Sequence, residues 1–133
     1  MAFKIVDSGK NFSQPVEVLL GTNSEAYVEG EALSITSGRL TKCAATATPE
    51  AFCLKTQAAE ATAITPLPFL RVMEDQKYSV QSMATVAASL VGSKVTLHTD
   101  GLLTTATTAS GVATIISTDG ATTTSNLVVS FRR

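Results

Sequence analysis

His98, the only histidine in the chain, stands two residues before Asp100. An imidazole beside a carboxylate could activate a hydroxyl nucleophile, and 13 serines are present to complete a Ser/His/Asp set. With serine so abundant, such a match is expected by chance. No G-x-S-x-G elbow, Walker loop or Rossmann glycine pattern accompanies it. One imidazole cannot build a histidine-based metal site alone. Two acid pairs, Glu29 with Glu31 in "EGE" and Glu74 with Asp75 in "MED", have the residue types of glycoside hydrolysis or calcium binding. Each falls at an expected strand start or hairpin bend, where solvated acids are ordinary. Cys43 and Cys53 lie ten apart, without the C-x-x-C spacing of a redox or zinc site. They read as small buried hydrophobes, and a disulfide stays geometrically open if they sit on paired strands. Five Phe, two Tyr and no Trp supply no stacking platform for sugars or bases. The expectation is a protein that is not an enzyme, with no catalytic residues, no cofactor and no metal.

The composition points the same way. At 133 residues the chain fits one domain and can bury roughly two thirds of its unfolded surface. Charged residues make up only 16%, while Thr (20), Ala (18) and Ser (13) fill much of the rest, giving a neutral, hydroxyl-rich surface. Ten basic residues against 11 acidic ones leave no field to attract phosphate backbones, so nucleic acid is not an expected partner. No apolar run approaches the roughly 18 residues of a membrane span, and "MAFKIVDSGKNF" lacks the pattern of a secretory signal. The expectation is no membrane partner, and synthesis in the cytoplasm.

The elements that would position these residues read as strands. "VEGEALSITSGRLTKC" (28–43) predicts a hairpin turning at Ser37-Gly38, with Leu33, Ile35 and Leu40 facing inward. A third strand follows Pro49 in "AFCLKT". "QAAEATAITPLP" reads as a loop because Pro66 and Pro68 cannot donate to a ladder. "FLRVMEDQKYSVQSM" predicts a tight hairpin bent at "EDQ", and "ATVAASLV" one or two helical turns. Asp100-Gly101, Ser110-Gly111 and Asp119-Gly120 then punctuate "KVTLHT", "LLTTATT", "VATIIST" and "NLVVSF". The fold class is all-β: a small single-domain barrel or sandwich of eight to nine strands in hairpins and meanders, with at most one short helix. Thr fills 11 of the 29 positions from 96 to 124, which suits a wet β surface or a neutral docking face.

Residues 1–27 read differently from the β domain assigned to 28–133. They carry Phe3, Ile5, Phe12, Val16, Val18 and Leu20, but Gly9, Pro15 and Gly21 interrupt them and no hairpin partner follows. The segment is either a first strand or an extended arm that lies on a neighbouring molecule, and those six residues are the candidate contacts.

The order of signals in "VEGEALSITSGRLTKCAATATPEAFCLKT" (28–56), "FLRVMEDQKYSVQS" (69–82), "VGSKVTLHTDGLLTTATTASGVATIIST" (91–118) and "LVVSFRR" resembles the small β-barrel decoration, or cement, proteins of tailed-bacteriophage capsids. The resemblance covers about the last hundred residues. It implies a virion protein on the outer surface of an icosahedral head, trimeric, bridging major capsid protein subunits and stabilising the shell. The rival readings are another virion component, such as a head fibre or tail part, and a β-sandwich adhesion or carbohydrate-binding module.

Overall fold

The structure is a computed structural model that describes residues 3–7 and 15–132. It is all-β, with ten strands: β1 (Lys4–Asp7), β2 (Glu17–Leu20), β3 (Ala32–Thr36), β4 (Arg39–Lys42), β5 (Ala51–Cys53), β6 (Pro66–Arg71), β7 (Lys77–Gln81), β8 (Lys94–Val95), β9 (Ala113–Thr118) and β10 (Asn126–Ser130). They form two five-stranded sheets, ordered β1-β7-β10-β9-β8 and β2-β6-β5-β3-β4, and the strand pairs are antiparallel. The helical pattern at 84–91 becomes a single 3-10 turn, Ala88–Leu90, with no buried residue in it.

The second sheet is rolled. A parallel bridge from Gly21 to Leu40 brings the end of β2 back to β4, so both outer strands of the sheet meet. Inside the roll lie Tyr27, Leu33, Leu40, Ala51, Cys53, Leu67 and Phe69, with Leu19 and Ile35 packed against them. The first sheet stays open and covers a separate core of Phe3, Tyr78, Val80, Val86, Ile115, Leu127, Val129 and Phe131. Ala32, Cys43 and Phe52 enter that core from the outside of the roll. β3 and β5 are therefore buried on both faces at Ala32, Leu33 and Ala51–Cys53.

The hairpin at 28–43 forms as read, with Leu33↔Lys42 and Ile35↔Leu40 in register. Ser37 (φ 52) and Gly38 (φ 75) both take positive φ, the geometry of a two-residue turn whose twist matches its strands. The expected hairpin at 69–83 does not form. Its bend holds, but β6 pairs with β2 and β5 while β7 pairs with β1 and β10, so the chain crosses here from the rolled to the open sheet. A turn signal marks a change of direction and carries no information on which sheet receives the next strand.

Pro66 and Pro68 lie in a strand rather than a loop. Leu54 donates to the Pro68 carbonyl at 3.0 Å, so the proline positions face the β5 side at its end, and bonding to β2 falls to Leu67 and Phe69. "LLTTATT" is not a regular strand, yet it is tied down. Thr96 donates to Thr107, Thr105 to Thr96 and His98 to Leu103, at 2.9–3.0 Å.

Candidate interaction surface

Several of the residues with reactive side chains brace the fold. His98 Nδ1 lies 3.1 Å from Asp100 Oδ1, and the same carboxylate accepts the Leu102 N–H at 2.8 Å, so the pair holds the Asp100-Gly101 turn. Glu31 is buried, accepting the Val28 N–H at 3.0 Å and Lys42 Nζ at 2.9 Å, whereas its neighbour Glu29 is exposed. Cys43 and Cys53 are free thiols in different cores. Cys43 donates to the Ala44 and Ala47 carbonyls and Cys53 to that of Lys55; burial pushes both thiols above their ordinary pKa. Among the described residues, no group of three His, Cys, Asp or Glu side chains could hold a metal ion. No helix there is long and apolar enough to cross a membrane.

A surface feature emerges where β2 meets β6. The register sets Val18 opposite Pro68 and Leu20 opposite Pro66, with Glu17 opposite Phe69. Alternation then divides the pair into two faces. Leu19, Leu67 and Phe69 point into the roll, where Leu67 and Phe69 are fully buried. Arg71 closes that end by a two-point bond to Glu17 at 2.9 and 3.0 Å, which holds the Glu17 carboxyl below its ordinary pKa. The other face carries Val16, Val18, Leu20, Pro66, Pro68 and Leu70 without a charge. Val16 is 58% exposed and Val18 59%. Ile64, 72% exposed, stands two residues before β6.

Leu70 links this face to a groove of about 570 Å³. The groove is lined from the open sheet by Phe3, Lys4, Ile5 and Tyr78, and from the rolled sheet by Glu29, Gly30, Phe52, Cys53, Leu54 and Leu70. Its floor is an aromatic cluster: the Phe3 ring stacks on Phe52 at 4.7 Å, and Tyr78 meets Phe52 edge-on at 4.8 Å. The Tyr78 hydroxyl donates to Gln76, and burial pushes its pKa up to about 12.

The six candidate contacts therefore fall in three places. Val16, Val18 and Leu20 share the outer face of β2. Phe3 and Ile5 line the groove, but Phe3 is only 5% exposed and belongs to the core. Phe12 lies outside the described residues. Both β1 and β2 come from residues 1–27, which contribute one strand to each sheet. The sequence reading missed the β6 half of the face. Its signal was the period-two series Pro66, Pro68, Leu70, hidden because prolines mark loops more often than strands. Comparison with protein-family models, with curated proteins and with solved structures found no match.

Proposed function

We propose that this chain is a structural virion protein that binds the outer surface of an icosahedral phage head as a homotrimer and bridges major capsid protein subunits. The observation that carries this reading is the uncharged face of Val16, Val18, Leu20, Pro66, Pro68 and Leu70. Val16, Val18 and Pro66 are exposed on it and Leu20, Pro68 and Leu70 half-buried; it lies on two hydrogen-bonded strands and loses little solvation of charge on docking. Support also comes from the resemblance in strand and turn order. A contact of about 800 Å² per protomer is modest by itself. Three linked protomers raise the effective concentration of the second and third contacts, so avidity holds the assembly. The reading requires no reacting group and no cofactor.

Cosedimentation with expanded empty heads tests it. The wild type is expected to pellet with heads, and Val16→Asp/Val18→Asp to remain in the supernatant while keeping its β-sheet circular dichroism, because both side chains are exposed. A wild type that stays in solution, or a double variant that pellets as well as wild type, removes the reading.

A further inference from the structure

β1 and β7 are hydrogen-bonded neighbours, with Lys4 opposite Ser79 and Ile5 opposite Tyr78. The whole rolled sheet, β2 to β6, is one continuous stretch of chain between them. It has its own core and its own closure at both ends. At the Gly21 end, Tyr27 caps the roll, its hydroxyl accepting from the Thr22 N–H at 2.8 Å and donating to the Leu40 carbonyl at 3.0 Å. At the other end stands the Arg71–Glu17 pair.

The open sheet is not self-sufficient in the same way. Ala32, Cys43 and Phe52, supplied by the roll, form part of its core. The groove runs along the seam, with walls drawn from both units, and opens about 570 Å³ to solvent at the edge of their contact. A gap at a junction removes contacts that would couple the two sides.

We infer that the rolled sheet is an autonomous unit inserted between adjacent strands of the open sheet, and that the open sheet detaches along the seam while the roll stays folded. The detached state exposes Phe52 and Leu70, which the native state keeps covered or half-covered. This opening is a sub-global one, and the dependence runs in one direction: loss of the roll removes the floor of the open sheet, but loss of the open sheet leaves the roll's core intact.

Residue-resolved amide hydrogen exchange on the full chain tests this. Ile115→Val trims the open-sheet core at a fully buried site, and Leu40→Val trims the core of the roll. Leu40→Val is expected to speed exchange in β3, β4 and β6 by about three- to tenfold while leaving β7, β9 and β10 unchanged, because the roll is weakened equally in the native and the detached state. Ile115→Val is expected to speed exchange in β7, β9 and β10 by a similar factor, and in the roll with them, because the roll unfolds only after the open sheet has left. Equal acceleration of both sheets by Leu40→Val would mean one cooperative unit and overturn the inference. So would an Ile115→Val protein that exchanges like wild type, or a wild type whose open sheet is as protected as its roll.

Discussion

Lys42 carries a burden that its exposed position conceals. Its ammonium reaches a carboxylate whose side chain is 2% accessible, while its own stem is half in solvent. Removing the cation strands the Glu31 charge, whereas removing the carboxylate lets Lys42 return to water. Lys42→Met is therefore expected to cost about 1–3 kcal/mol in urea denaturation, and Glu31→Gln less, since the amide oxygen can still accept the Val28 N–H. Equal losses would show that stranding the Glu31 carboxylate carries no penalty of its own. The thiols give a second test at this scale. Burial raises both pKa values, so the reactive thiolate is scarce at neutral pH and grows only as pH rises. Native protein at pH 7 should resist alkylation by iodoacetamide, and unfolding in urea should release two reactive thiols. Rapid labelling of folded protein would contradict the buried placement.

At the level of elements, turn chemistry explains what could be read from residue types. Ser37-Gly38 bends β3 into β4 because both residues occupy positive φ, and around Gly38 there is nothing within 4 Å of an added Cβ. Gly38→Ala thus tests backbone conformation alone, with an expected loss of about 1–2 kcal/mol. At Gly111 an added Cβ would fall 2.3 Å from the Lys94 carbonyl oxygen, so the backbone must shift and the loss in chemical denaturation should be larger. The reverse order would mean that the β8 approach is soft. Asp119-Gly120 shows the limit of such reading. Gly120 takes its positive φ, but Asp119 then spans a longer loop by accepting the Ala121 and Asn126 N–H groups at 3.0 Å. The dipeptide marks a bend without fixing the length of the connection.

Across the whole molecule, the period-two patterns and glycine turns made the all-β class legible, because each depends on neighbours in sequence. The allocation of strands to sheets was not, since β6 and β7 carry the same alternation although Phe69 and Tyr78 enter different cores. Burial on both faces at Ala32 and Phe52 was equally hidden, as nothing local announces a second layer. The candidate surface was half visible. Val16, Val18 and Leu20 stood out as apolar residues without a hairpin partner, but the strand that completes them lies about fifty positions away.

The pairing of β1 with β7 also sets an order of events during synthesis. The first strand leaves the ribosome early, yet its hydrogen-bonding partner lies some seventy residues downstream. The roll can close in the meantime, because all five of its strands have emerged by Arg71. Phe3 can stack on Phe52 once the roll has closed, but β1 must wait for translation to deliver β7, and Phe3 for Phe131, so this segment completes its packing long after it is made.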